Sequence, residues 1–166
     1  MRFNGLIISG RSLLGISMGC FIACASPMAS AKDATVKRIT GLVGECRVQL
    51  AAEFAPCDKD VIWIELTNGR ALVIFKKDKT IYTLSGGRDR QPNLEDFYLG
   101  IDTFRLAVDG VEKQKDAKME GECHFSINKD ASKFYFVKCE IYNRAKGSKY
   151  NLYLENIVSF DRTEPK

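Results

Sequence analysis

The chain has little of what most enzyme active sites are built from. It contains one histidine, His124, and one tryptophan, Trp63, in 166 residues. It has no C-x-x-C pair and nothing like the ligand spacing of zinc sites, so neither a structural metal nor a thioredoxin-like redox centre is expected. It also lacks the G-x-S-x-G motif of serine hydrolases. The sequence therefore predicts no metal, no cofactor and no catalytic residue.

Helical patterns are scarce as well. The apolar segments are short, β-branched and aromatic, as in VIWIEL (61–66), ALVIF (71–75) and TIYTLS (80–85). Turn residues, Asn68-Gly69 and Asp78-Lys79, separate them, which is typical of antiparallel strands. We therefore expect an all-β fold of roughly eight antiparallel strands, as a small barrel or a two-sheet sandwich.

These turns give an expected register for the three strands. A two-residue turn at Asn68-Gly69 is the usual hairpin connection for that dipeptide, and it sets Ile64 opposite Val73. The predicted core face is Ile62, Ile64, Leu66, Ala71, Val73, Phe75, Tyr82 and Leu84. Trp63 falls on the other face with Ile74 and Ile81, which is either covered by a second layer or forms a contact patch.

Long apolar runs are confined to the start of the chain. The run Leu13–Ala25 is shorter than the about 20 residues that a membrane span needs. It follows a basic segment and precedes Ala29-Ser30-Ala31, which has the small-x-small pattern of a signal-peptidase site. We expect cleavage after Ala31, which leaves one β domain over 32–166 in the periplasm or outside the cell, without a transmembrane span.

Lipidation at Cys20 or Cys24 is the alternative to cleavage after Ala31, because FIAC faintly resembles a lipoprotein box. Cleavage of the signal peptide leaves four cysteines: Cys46, Cys57, Cys123 and Cys139. An even number in an exported chain predicts two disulfides formed in an oxidising compartment. Of the three connectivities, we favour the pairing of neighbours in sequence, Cys46–Cys57 and Cys123–Cys139.

The segment GECHFSINKDASKFYFVKCEIY (121–142) places the only histidine beside a cysteine. Antiparallel pairing about Ala131 sets Cys123 directly opposite Cys139. Because successive side chains on a strand alternate between faces, His124 then lies on the face away from both sulfurs. A nucleophilic Cys–His pair needs hydrogen-bond reach, so the segment predicts a disulfide-linked hairpin.

Binding residues are expected on three features: the Trp63 face, the irregular loop GGRDRQPNLEDF (86–97) and the basic, aromatic C-terminal hairpins. The candidates are Trp63, Arg88, Arg90, His124, Phe134, Phe136 and Lys138. On the expected register Phe134, Phe136 and Lys138 share the face of His124. Aromatic rings beside cations suit sugars or anionic polymers, although these rings would equally line a barrel interior.

Net charge narrows the choice of partner. The formal net charge of +4 falls once the arginines of the leader are removed, and a near-neutral chain makes nucleic acid an unlikely partner. We expect a non-enzymatic binding or structural protein of the cell envelope, with a protein or glycan partner. The alternatives are a periplasmic inhibitor of a wall-degrading enzyme, or an enzyme that uses carboxylates such as Glu95, Asp96 and Asp102.

Overall fold

The structure is a computed structural model that describes residues 34–50 and 53–165. Within these ranges the side chains of Leu50, Arg88, Lys115 and Asp116 are not described. The predicted signal peptide, its cleavage site and the two alternative lipidation sites lie outside the described residues.

Nine β-strands make up the regular structure of these residues. They are β1 (Val36–Leu50), β2 (Glu53–Pro56), β3 (Asp60–Leu66), β4 (Ala71–Lys77), β5 (Thr80–Arg90), β6 (Asp96–Val108), β7 (Val111–Ile127), β8 (Phe134–Asn143) and β9 (Ser148–Thr163). No helix occurs in the described ranges, so none there is long and apolar enough to cross a membrane.

The sheet closes into an eight-stranded antiparallel barrel. Strands β3 to β9 pair each with the next, and β1 pairs with β3 along one edge and with β9 along the other. The short β2 extends the first of these edges, where it pairs with the last residues of β1. The expected all-β fold is confirmed, and it is a barrel.

Alternation of side chains along every strand fills the barrel interior. The largest fully buried side chains include Phe75, Phe104, Phe125, Phe134 and Leu42. An eight-stranded barrel is just wide enough to be filled by side chains or to hold one small ligand. Both predicted disulfides are formed, Cys46–Cys57 and Cys123–Cys139; the second lies across β7 and β8 with both cysteines buried.

The predicted register between β3 and β4 is wrong by one residue. Trp63 pairs with Val73, because the connecting loop has three residues: the Leu66 N–H donates to the Arg70 carbonyl, and Gly69 has a φ of +80°. A slip of one residue exchanges the two faces of a strand. Trp63 therefore points into the barrel.

Because of this one-residue shift in register, part of the predicted core is wrong. Three of its members lie on the outer face of β3: Ile62, Ile64 and Leu66. The other five are buried as predicted: Ala71, Val73, Phe75, Tyr82 and Leu84. Ile74 and Ile81 lie on the outer face, as expected, and the described strands belong to one sheet, so none of them forms a second sheet over this part of the wall.

One end of the barrel, called here the mouth, carries the 67–70 turn, the 91–95 loop and the 128–133 loop, together with the start of β1 and the end of β9. The irregular loop predicted over 86–97 is shorter than expected, because β5 continues to Arg90. At Gly86 the backbone bulges towards β6 so closely that an added Cβ would lie 1.8 Å from the Gly100 carbonyl oxygen.

Candidate functional site

A cavity of about 310 Å³ opens at the mouth of the barrel. Four rings that point inward from different strands line its base, and we call them the aromatic floor: Trp63, Phe97, Phe125 and Phe134. Charged side chains surround its opening, and we call them the rim: Arg38, Glu65, Arg70, Asp89 and Arg162. A small concave site with an apolar base and a few polar groups is the usual form of a ligand pocket.

Trp63 is the centre of the aromatic floor. Its ring lies 4.6 Å from Phe125, 5.3 Å from Phe97 and 6.3 Å from Phe134, between centroids. Phe97 and Phe125 are direct partners on β6 and β7. Tilted and edge-on pairs at these distances stabilise a cluster beyond simple area burial. The floor is therefore an ordered aromatic surface.

Two polar atoms in this part of the interior have no hydrogen-bond partner among the described residues. They are the indole N–H of Trp63 and the hydroxyl of Thr40, and both atoms are fully buried. Thr40 on β1 is the direct cross-strand neighbour of Trp63. Buried polar groups in proteins are nearly always hydrogen-bonded, so two unpartnered groups side by side require an explanation.

The three arginines of the rim differ in their partners. Arg38 contacts Glu65 at 3.5 Å and Glu164 at 3.1 Å. Arg70 binds both carboxylate oxygens of Asp102, and these hydrogen bonds raise the pKa of its guanidinium above the ordinary value. Arg162 forms no ion pair with any residue in 34–50 or 53–165; its guanidinium lies 5.7 Å from the ring centroid of Phe160.

A second cluster of basic and aromatic side chains runs around the outside of the barrel. Successive cross-strand partners from β5 through β9 to β1 form this outer row: Arg90, Tyr98, His124, Lys138, Tyr153 and Arg47. The ring of Tyr98 is stacked on His124 at 4.2 Å, and the Arg90 guanidinium covers its other side at 3.8 Å.

Every basic side chain of the outer row has an acidic neighbour. The pairs are Arg90–Glu122, His124–Asp96, Lys138–Glu140 and Arg47–Glu155. Hydrogen bonds from Asn93 and then from His124 hold the pKa of Asp96 below its usual value, and Lys138 lowers the pKa of Glu140. The row therefore offers neither free charge nor open ring faces around Tyr98.

The structure separates the predicted binding residues into these two clusters. Trp63 and Phe134 lie in the aromatic floor, whereas His124, Phe136, Lys138 and Arg90 lie outside. Placing Phe134 on the His124 face was wrong, because a bulge at Tyr135 shifts the pairing so that Phe134 faces Ile127 and is buried. The side chain of Arg88 is not among those described.

The alternative of a carboxylate enzyme gains little from the geometry. His124 Nε2 lies 2.6 Å from Asp96, but this pair sits on the convex outer wall beside Tyr98. Asp102 is held by Arg70. Among the described side chains, no group of three or more potential ligands could hold a metal ion.

Sequence reasoning missed Thr40, Arg38 and Arg162, and it missed Phe97 and Phe125 as parts of one site. Their meeting depends on the pairing of β1 with β9 and on closure of the barrel. No protein-family model, curated protein or solved structure matches the chain. Its function is therefore inferred from the site.

Proposed function

We propose that the chain is a non-enzymatic binding protein of the periplasm or the extracellular space, and that it takes a small ligand into the mouth of its barrel. The observation that carries the proposal is the position of Trp63. Its ring lies at the base of a cavity open to solvent, among three phenylalanines, with an indole N–H that has no partner.

The cavity has the size and lining expected of a specific small-molecule site. At about 310 Å³ it lies at the lower end of ligand pockets, which suits a compound built on one ring. The phenylalanines provide apolar contact, and the rim provides polar contacts at the opening. The two disulfides support the compartment, since such bonds persist in oxidising environments.

The outer row gives less support to the protein or glycan partner in the envelope that the sequence suggested. Its cations are already paired with acids, and Tyr98 is covered on both sides. The same holds for an inhibitor of a wall-degrading enzyme, since neither sign of charge dominates the row. The mouth is the better supported site because Trp63 and Thr40 each have a polar group without a partner among the described residues.

The proposal has a direct test, because Trp63 is the only tryptophan in the chain. The ¹⁵N-labelled protein gives one indole N–H signal, which reports on the site itself. We expect members of a set of single-ring acids, amides and alcohols at about 1 mM, a concentration that detects weak binders, to shift this signal. Backbone amides of the 67–70 and 128–133 loops should shift with it.

Amides of the 144–147 turn, at the opposite end of the barrel, are the internal control and should not move. The proposal fails if no member of the set shifts the indole signal. It also fails if the shifts cluster on the outer row around His124 and Lys138.

A further inference from the structure

We propose that Arg162, Thr40 and Trp63 form an oxyanion-binding row, and that the ligand of the mouth is a small aromatic acid. This inference rests on the proposed function and specifies the chemistry of the same site. The acidic oxygens would contact the row, and the aromatic body of the ligand would lie on the aromatic floor.

The three residues are brought into line by the closure of the barrel. Thr40 on β1 is paired with Trp63 on β3 at one side and with Arg162 on β9 at the other. Adjacent strands lie about 4.8 Å apart, so the row is about 10 Å long. All three side chains are on the inner face, since Trp63 and Arg162 line the cavity and Thr40 is 1% exposed.

The row contains hydrogen-bonding groups that no described residue engages. The Thr40 hydroxyl and the Trp63 indole N–H have no partner. Arg162 has no acidic partner among the residues described, whereas Arg38 and Arg70 are both paired. A carboxylate is an acceptor with two oxygens, and hydrogen bonds to a charged acceptor are about twice as strong as neutral ones.

The rim also contains Asp89, an acidic residue that orients the acid of the ligand towards this row. Asp89 lies on β5, which is four strands from β9 in either direction around the eight-stranded barrel. An anionic group is therefore repelled from the Asp89 side and attracted to the Arg162 side. The body of the ligand then extends over Phe97 and Phe125, on the β6 and β7 side of the cavity.

Access to the buried donors needs a small movement of Trp63. Its indole nitrogen has almost no accessible surface, but the ring borders the cavity, so a ligand reaches the N–H once the ring turns. A ligand that accepts a hydrogen bond from this N–H should therefore change both its NMR signal and the tryptophan fluorescence.

Three probes of similar shape test the contribution of the carboxylate and that of the aromatic ring separately. They are 3-phenylpropionate, its neutral amide 3-phenylpropionamide, and the saturated acid 3-cyclohexylpropionate, each titrated by calorimetry and by the Trp63 signals. We expect 3-phenylpropionate to bind roughly tenfold more tightly than the amide, because the amide lacks the charge-assisted hydrogen bonds. It should also bind more tightly than the saturated acid, which cannot form ring–ring contacts.

Substitutions in the row test whether it causes the preference for the acid over the amide. Arg162→Gln should weaken 3-phenylpropionate roughly tenfold and leave the amide unchanged, and Thr40→Val should weaken the acid by a factor of about three to ten. Arg144→Gln, the same substitution at the exposed turn of the opposite end, is the matched control and should change neither affinity.

The inference is overturned if the amide binds as tightly as the acid, or if Arg162→Gln and Arg144→Gln behave alike. In that case, shifts of the Trp63 signal by the neutral or saturated probes still support a ligand site at the mouth. If neither these probes nor the wider set of single-ring compounds moves the signal, both proposals are wrong.

Discussion

The aromatic floor and the outer row both contain aromatic rings but differ in whether the polar groups beside those rings have partners. Outside, each basic side chain has an acid within ion-pair distance, and Tyr98 is stacked between Arg90 and His124. Inside, Trp63 has ring neighbours on several strands but its N–H is unpartnered. The charged groups of the outer row are paired with neighbouring side chains. Trp63 in the floor and Thr40 beside it have polar groups that could form hydrogen bonds with a ligand.

This difference shows why composition and geometry favour different surfaces. Basic and aromatic residues are frequent in the C-terminal hairpins, and their density suggested binding there. These basic and aromatic groups are exposed on the convex outer wall, but they already form ion pairs or ring contacts with their neighbours. The concave end has fewer charges, and it holds two of the four buried polar side-chain atoms that have no partner among the described residues. Such atoms require an explanation.

The largest expected difference between the two clusters is in stability. Phe125→Ala removes a ring that is fully buried in the floor, and it should lower the free energy of unfolding by about 3–5 kcal/mol. Phe136→Ala removes a ring that packs edge-on against His124 on the outer wall, and it should cost about 1 kcal/mol or less. Urea denaturation with both disulfides intact measures both values.

If Phe125→Ala does not fold, Phe125→Leu and Phe136→Leu provide the milder pair, and the inner substitution should still be the more costly. Equal losses at the two positions would show that the floor is not packed as described.

A smaller effect of opposite sign is expected at Thr40. Thr40→Val replaces a buried, unpartnered hydroxyl by a methyl group, and it should raise the free energy of unfolding by about 1 kcal/mol. Thr83→Val, on the outer face of β5, is the matched control and should lie within about 0.5 kcal/mol of the wild type. A loss of stability in Thr40→Val would mean that the hydroxyl has a partner in solution, which would remove Thr40 from the oxyanion row.

The smallest expected effect concerns the pH dependence of the outer row. Because the pKa of Asp96 is lowered in the folded protein, its contribution to stability is present above its unfolded pKa and is lost as the pH falls through the folded one. Asp96→Asn should therefore shift the thermal midpoint from that of the wild type most at neutral pH and hardly at all in strong acid.

Phe136→Ala serves as the control for this pH dependence, because it removes no titrating group. Its difference from the wild type should stay nearly constant between neutral and acidic pH. A constant difference for Asp96→Asn as well would show that the contacts of ionised Asp96 with Asn93 and His124 do not contribute to stability.

The hairpin of β7 and β8 shows what the sequence could predict. Cys123 and Cys139 lie opposite each other, as expected, because strict alternation and the two cysteines agree on one register. The bulge at Tyr135 could not be predicted, since Phe134, Tyr135 and Phe136 are all aromatic and either phase of the strand leaves a ring facing the core.

The strand β3 shows why the candidate site was only partly predictable. All four residues from Val61 to Ile64 are apolar, so the hydrophobic pattern fits both faces and only the length of the turn decides between them. A three-residue loop and a two-residue turn both accept Asn68-Gly69. Pairing of β1 with β9 could not be predicted either, because nothing local in either strand identifies its distant partner.

Through that pairing, a ligand of the proposed oxyanion row would help to keep the chain folded. The seam brings together residues as far apart as Arg38 and Glu164, separated by 126 positions, so its closure carries the largest entropy cost of any pairing in the barrel. Thr40 and Arg162 face each other across this seam, and a conformer with β9 detached has no oxyanion row. An acid that binds only the closed form would lower the fraction of molecules with β9 detached, by mass action. Amide hydrogen exchange along β9 would therefore become slower as the concentration of the acid rises.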